Sequence, residues 1–335
     1  MVITQTPYRV SFAGGGTDLK AFYEHEYGAV LSAAVNLHMY VTVSPRFDET
    51  VRVSYTQTEI TDGIEPIKHE LVREALRLTG LSRHIEITTV GDVPGGTGMG
   101  SSSSLTTGVL HALYAFRGDI VTAERIAEEA CNIEINVLGH PIGKQDQYAA
   151  AFGGLNYIRF NPSGTVDVEP LPCRPETLDQ LEAQTLIFYT QQQRNADTIL
   201  QKQTDGTADK MSVLRQMRDL AGEMRHPLAG AGDLEEFGRL LHQGWQLKRS
   251  LGFGITNESV DDWYTAARKA GAMGGKLLGA GGGGFLLVLA PEDSHQAIRE
   301  ALGQPREIEF KVDRRGSRIV FISEHQVLIR DGGYA

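Results

Sequence analysis

Residues 94–104 read PGGTGMGSSSS, and an apolar run with helical spacing follows at Leu105, Val109, Leu113 and Phe116. Glycines let a backbone turn its N–H groups inward and approach a bound group closely. A helix starting there aims the positive end of its dipole at the same point. Serines at the helix start add hydroxyls that can ligate the metal accompanying a nucleotide. These residues suit the cradling of a phosphate chain, and the expected ligand is a nucleoside triphosphate. The cradle comprises Pro94, Gly95, Gly96, Thr97, Gly98, Met99, Gly100, Ser101, Ser102 and Ser103. It is not a Walker loop, because no GxxxxGK[ST] string occurs, and the HRD and DFG strings of protein kinases are absent. Gly279, Gly281 and Gly284 form a GxGxxG, but it precedes a strand-like run, the wrong order for a dinucleotide site.

Four further places offer chemistry. Glu134 lies beside the apolar stripe Ile126, Ala130, Ile133 and Val137 of a helix expected over 122–138. A carboxylate facing inward is costly without a cation or donors. Glu134 is therefore either a helix-edge residue or, with a serine of the glycine loop, a ligand to magnesium. Asp146, in HPIGKQDQ, is either an N-cap or a base that orients a substrate hydroxyl. In TPYRVSFAGGGTDL, Asp18 either caps the helix DLKAFYEHEY or accepts hydrogen bonds from a polyol, with Gly15, Gly16 and Thr17 beside it. Arg9 is a fixed cation near the base or the transferred phosphoryl group. The glycine density of KLLGAGGGGFLLVLA, including Gly281 and Gly282, exceeds what a turn needs and points to a loop that something approaches closely. Arg194, Lys202, Lys248 and Arg249 are most simply solvated charges; Arg194 and Lys248 are the candidates for a phosphate carried by the substrate.

Elements must hold these residues in place. The first third reads as strands, with a helix at IKHELVREALRLTG that stops on Gly80. Helices at 103–116 and 122–138 follow the glycine loop. A Pro-rich polar region over 161–185 marks a boundary, giving domains 1–170 and 171–335. The second half alternates a strand at TLIFYT, helices around 194–203, 209–224, 232–250 and 257–271, and closing strands. This is an α+β pattern with strands early and late. A net charge of −10 argues against nucleic acid. Two cysteines without metal spacing, no signal-like N-terminus and no membrane-length apolar run point to a cytoplasmic protein.

Taken together, PYRVSFAGGGTDL, PGGTGMGSSSS and KLLGAGGGGFLLV resemble, in order, the three motifs of the GHMP kinases. Met99 stands where the family's second motif has Leu. The resemblance covers essentially the whole chain and, within the family, is greatest to D-glycero-D-manno-heptose 7-phosphate kinases. It implies an N-terminal domain like ribosomal protein S5, a ferredoxin-like C-terminal domain and an active site between them. It implies ATP and Mg2+, with Ser101 or Ser102 and Glu134 on the metal, Asp146 as base, Arg9 stabilising charge, and Asp18 on the sugar. The expected reaction is phosphorylation of the anomeric hydroxyl of the heptose 7-phosphate to the 1,7-bisphosphate. The stretch PIGKQD is one residue longer than the family's P-S-G-x-D, which brings Gly143 and Lys144 to the substrate side. Thr106 and Thr107 replace small apolar residues and alter how that helix packs. Partners are the sugar phosphate and ATP, with homodimerisation allowed for and neither nucleic acid nor membrane expected. Fucose, galactose or an N-acetylhexosamine are alternative acceptors, and a non-catalytic sugar and nucleotide sensor is the alternative class.

Overall fold

A computed structural model describes residues 1–192, 196–229, 232–252 and 254–323. Seven strands precede residue 171: β1 (Val2–Ala13), β2 (Gly28–Pro45), β3 (Val51–Ser54), β4 (Thr58–Thr61), β5 (Ile85–Gly91), β6 (Leu155–Phe160) and β7 (Val166–Pro170). Among them lie α1 (Lys20–Tyr23), α2 (Glu70–Thr79), α3 (Ser101–Arg117), α4 (Ala123–Cys131) and α5 (Gln145–Phe152). The second half contains α6 (Pro175–Gln184), β8 (Thr185–Tyr189), α7 (Ala196–Asp205), α8 (Thr207–Glu223), α9 (Leu234–Ser250) and α10 (Glu258–Lys269). It continues with β9 (Gly274–Leu277), β10 (Phe285–Leu289), α11 (His295–Ala301), β11 (Glu307–Ile308) and β12 (Arg318–Ile322).

Two sheets result. The larger runs β12-β1-β2-β5-β3-β4, with β6 pairing β2 and β7; the smaller runs β11-β8-β10-β9. The length of β2 lets its first half pair with β6 and its second half with β5. Alternation decides the buried face: Val41, Val43, Ile85 and Ile87 pack on Leu76, Val109 and Leu113 of α2 and α3. A further cluster joins the halves, with Phe12 edge-on to Phe237 at 5.3 Å between ring centroids and to Phe310 at 6.3 Å. The expected boundary near residue 170 omits one element. β12 returns to pair with β1, so the end of the chain completes the first sheet. No helix among the described residues is long and apolar enough to cross a membrane.

Two expected helices differ. The helix expected over DLKAFYEHEY is the short α1, and Leu19, not Asp18, stands at its N-cap. The helix expected over 122–138 changes at Asn132. A π-helical turn spans Asn132–Val137, with Leu138 N–H donating to Ile133 O at 3.0 Å. The wider turn rotates the following side chains against the α-helical register. Val137, placed on the buried stripe by periodicity, is 54% exposed, and Glu134 is fully buried.

Candidate active site

The glycine loop leaves β5 and ends at α3. Gly96, Gly98 and Gly100 have φ of +75°, +82° and +77°, a conformation that side chains with a Cβ disfavour. The first internal bond of α3 is Ser104 N–H to Gly100 O, 2.9 Å. The preceding amides therefore carry no intrahelical partner and form the anion-binding end of the helix. Gly96, Gly98, Gly100, Ser101, Ser102 and Ser103 line a cavity of about 360 Å³. The rest of the expected cradle does not line the cavity. Pro94 and Gly95 are exposed, Thr97 is buried with its hydroxyl donating to Pro94 O at 2.9 Å, and Met99 packs in the core. Thr106 and Thr107 are fully buried, and Thr106 Oγ1 donates back to Ser102 O at 3.1 Å.

The third glycine motif braces this loop. A Cβ on Gly98 would stand 2.5 Å from Leu278 O, and one on Gly279 would stand 2.4 Å from Gly98 Cα. Gly279 and Ala280 reach the cavity. Gly281 and Gly282, expected on the substrate, do not; Gly281 abuts Ile255, and Gly282 N–H donates to Ile255 O at 2.9 Å. The glycines serve backbone-on-backbone packing there.

Arg9 ties Asp146 to the loop. Its Nε and Nη2 donate to Asp146 Oδ1 and Oδ2, both at 2.7 Å, and Nη1 donates to Gly98 O at 2.7 Å. Such a bidentate pair fixes the carboxylate plane. The cap of α5 is Lys144, so the capping reading of Asp146 fails. Burial pushes the Asp146 carboxyl above its ordinary value, Arg9 opposes that, and Asp18 adds to it.

Glu134 faces the same helix start. Ser102 Oγ and Ser103 Oγ donate to its Oε2 at 3.0 and 3.2 Å, and Gln147 Nε2 donates to Oε1 at 3.0 Å. Ser102 and Ser103, rather than Ser101, therefore accompany this carboxylate. Every donor is neutral. Burial drives the Glu134 carboxyl up to about 7, against the pull of those donors. A buried acid with neutral partners beside a phosphate cradle fits a site for a divalent cation, since hard cations take carboxylate and hydroxyl oxygens.

The opposite end of the cavity is built by Gly15, Gly16, Asp18, Gly143, Gln145 and Lys248. Asp18 accepts from Gly16 N–H at 2.8 Å and from Gln145 N–H at 3.4 Å. A Cβ on Gly143 would fall 2.0 Å from Asp18 Oδ2, which explains glycine there. Lys248 is buried and donates to Gly15 O at 3.2 Å. Two expected contacts turn away. Thr17 Oγ1 donates to Gly14 O at 2.8 Å and Ala29 O at 3.0 Å, both inside the fold. Lys144 Nζ donates to Gly164 O at 2.6 Å and lies over the Tyr23 ring, away from the residues that line the cavity. Arg194 lies outside the described residues.

Sequence reasoning missed Ser11, Gln145 and Lys276, all of which line the cavity. Lys276 comes there because α9 lies directly on β9: a Cβ on Gly274 would stand 2.0 Å from Gly238 O. A lysine inside an otherwise small and apolar strand was the available signal.

Family models for the N-terminal and C-terminal domains of GHMP kinases match residues 67–154 and 224–306. The chain is 30% identical, over 92% of its length and 96% of the relative's, to a D-glycero-alpha-D-manno-heptose 7-phosphate kinase of Campylobacter jejuni. It is 27% identical over 92% of its length to a bifunctional fucokinase/GDP-fucose pyrophosphorylase of Arabidopsis thaliana, of which it covers 32%. A crystal structure of a D-glycero-D-manno-heptose 1-phosphate kinase from Bacteroides thetaiotaomicron superposes with TM-score 0.80 at 25% identity, over 96% of this chain and 100% of that one. A putative sugar kinase from Campylobacter jejuni superposes with TM-score 0.76 at 26% identity, over 95% and 97%. The likeness runs nearly end to end and takes in both domains, so this chain belongs to the GHMP kinases and is a sugar kinase with the two-domain fold of that family.

Proposed function

We propose that this kinase transfers the γ-phosphoryl group of ATP to the anomeric hydroxyl of D-glycero-D-manno-heptose 7-phosphate, giving the 1,7-bisphosphate for nucleotide-activated heptose and surface polysaccharide. The observation that carries the acceptor's phosphate is Lys248, a buried ammonium at the Asp18 end of the cavity, away from the phosphate cradle. Beside it the carboxylate of Asp18 is bonded to Gly16 N–H and Gln145 N–H, so a phosphate on the acceptor would be the ligand that pairs with this ammonium. The heptose-phosphate kinases among the relatives favour heptose over fucose, galactose or an N-acetylhexosamine.

In the proposed mechanism the amides and hydroxyls at the start of α3 hold the β- and γ-phosphates. Asp18 accepts hydrogen bonds from the sugar hydroxyls. Asp146, fixed by Arg9, takes the anomeric proton as the hydroxyl oxygen bonds to the γ-phosphorus. The bond from that phosphorus to the bridging oxygen breaks, and ADP leaves with the electron pair. Glu134 and Ser102 would hold Mg2+, which supplies charge neutralisation at the phosphates when bound. Positioning and charge stabilisation supply the acceleration. Free Cys131 and Cys173 suit a reducing cytoplasm.

The test is ATP consumption by the purified protein with magnesium against heptose 7-phosphate, fucose, galactose and mannose. Turnover of heptose 7-phosphate alone is expected. Turnover of a neutral sugar instead replaces the acceptor, and nucleotide binding without turnover of any sugar favours a sensor.

A further inference from the structure

One cationic group in the cavity has no task in that mechanism. Lys276 Nζ donates to Ser11 O at 2.6 Å and to Phe12 O at 3.4 Å. An ammonium carries three N–H donors, so at least one remains for the cavity. Lys248 is arranged alike, donating to Gly15 O at 3.2 Å and Gln203 Oε1 at 3.3 Å. The partners of both are carbonyl and amide oxygens, which satisfy hydrogen bonds and leave the charge in place. Burial lowers Lys248 to about 8, with Asp18 opposing, and Lys276 to about 7, with Lys248 and Arg9 adding repulsion. Like charges gathered in a partly desolvated cavity are costly unless an anion completes the arrangement.

Ser11 and Gln145 line the cavity beside these lysines, and Gln203 is bonded to Lys248. Ser11 Oγ, Gln145 Oε1 and Gln203 Nε2 are buried without partners. The Ser11 and Gln145 side chains approach one backbone position: a Cβ on Gly15 would lie 3.8 Å from Ser11 Oγ and 3.6 Å from Gln145 Nε2. The order along β1 and the loop after it separates this group from the reacting end. Arg9 holds the base, Ser11 receives Lys276, and Gly15 receives Lys248. Two residues of extended strand span about 7 Å. That displacement suits an anion at the far end of the acceptor rather than the phosphoryl group in transfer, which the start of α3 and Arg9 already serve.

We propose that Lys276 and Lys248 together form a second anion subsite that takes the phosphate group already carried by the acceptor, with Lys276 the residue that sets the preference for a phosphorylated sugar over its neutral counterpart. The inference rests on the phosphosugar-kinase reading above. A dianionic phosphate accepts from both ammoniums and offsets their charge, whereas a neutral hydroxymethyl group brings no charge to them.

The experiment is steady-state kinetics at saturating ATP and magnesium. The acceptors are D-glycero-D-manno-heptose 7-phosphate, mannose 6-phosphate and the two unphosphorylated sugars; the enzymes are the parent, K276M and K276R. A charge-assisted hydrogen bond is worth enough that K276M should raise KM for the phosphorylated acceptor by roughly 30-fold. KM for ATP and the kinetics of any neutral acceptor should hold within about twofold, and K276R should recover most of the loss. Equal loss on phosphorylated and neutral acceptors makes Lys276 a structural tie between β9 and β1, and a fall in kcat or a rise in KM for ATP assigns it to the transferred group. Either overturns the subsite. Heptose 7-phosphate turned over equally well by K276M overturns the subsite and keeps the reaction. Mannose 6-phosphate preferred, with the KM rise on K276M confined to it, overturns the heptose and keeps the subsite. Turnover of neutral sugars alone overturns both. Should K276M not fold, the parent enzyme answers by calorimetry. Binding of heptose 7-phosphate at pH 8 without ATP should draw protons onto Lys276 and Lys248 together, against Arg9 and with Asp18 beside Lys248. That uptake is read from buffers of different ionisation heat, and its absence overturns the subsite.

Discussion

Asp146 accepts two bonds from Arg9 at 2.7 Å, so its orientation is set before substrate arrives. We expect Asp146→Asn to lower kcat at least ~100-fold in steady-state assays, the loss of a positioned base, with the change in KM for ATP small. An unchanged kcat would remove Asp146 from that role. Glu134 gives a stability prediction whose sign follows from its raised carboxyl. The folded protein binds this proton more tightly than the unfolded chain, so the contribution is full below the ordinary value of 4.5 and is lost as pH rises through about 7. At pH 8 the ionised buried acid costs the metal-free protein on the order of 3 kcal/mol. Glu134→Gln should therefore stabilise the metal-free protein at pH 8, and the gain should vanish by pH 4. Lys248 and Lys276, lowered on folding, act in the opposite sense at alkaline pH, so the comparison is parent against variant at each pH. The same substitution should raise the magnesium concentration needed for half-maximal rate. Thermal melts across pH and a magnesium titration check both halves.

At the scale of elements, the glycine loops are braced backbone to backbone, and that bracing is sensitive to one methyl group. Gly98→Ala places a Cβ 2.5 Å from Leu278 O at a φ of +82°. The expected cost is about 2 kcal/mol or more, with loss of nucleotide affinity as the cradle shifts. Gly222→Ala is the contrast, because it lies in α8 with nothing within 4 Å of the added Cβ. It should be neutral or stabilise by up to about 1 kcal/mol. Denaturant melts and nucleotide titrations of the two variants would separate them; equal effects would mean that close approach is not why Gly98 is glycine. The π-helical turn is the other device at this scale. It breaks the α-helical register after Cys131, swings Val137 out and turns Glu134 toward Ser102 and Ser103. Periodicity assumes an unbroken helix, so it could place Glu134 beside the stripe but not inside it.

Across the whole molecule, the two halves share a core. Phe12 of β1 meets Phe237 of α9 and Phe310 near β11, and β12 returns to the first sheet. The halves should therefore unfold together. Both tryptophans, Trp245 and Trp263, lie in the second half, so their fluorescence reports that half, and circular dichroism reports the whole. The two transitions should coincide in the parent protein. Phe237→Ala should cost about 3–5 kcal/mol and shift both traces together. A second transition resolved by dichroism alone would mean that the shared core does not couple the halves.

The sequence by itself determined the chemistry of the cradle and its family. Runs of glycine, serine and apolar residues act through local backbone freedom and helix spacing, and both are encoded within a few neighbouring positions. It also singled out Arg9, Asp18 and Asp146 as charges in or beside glycine-bearing loops, Glu134 as a carboxylate beside an apolar helix stripe, and Arg194 and Lys248 as candidates for a phosphate on the substrate. Only the tertiary structure decided which of these meet. Arg9 and Asp146 are 137 positions apart, and Lys276 reaches Ser11 across 265. Such contacts depend on strand register, on α9 lying against β9 and on the turn at Asn132. The same three-dimensional constraints turned Thr17, Lys144, Gly281 and Gly282 away from the cavity and brought Lys276 into it. Side-chain direction is set by packing over the whole fold, and no local pattern of residues carries that information.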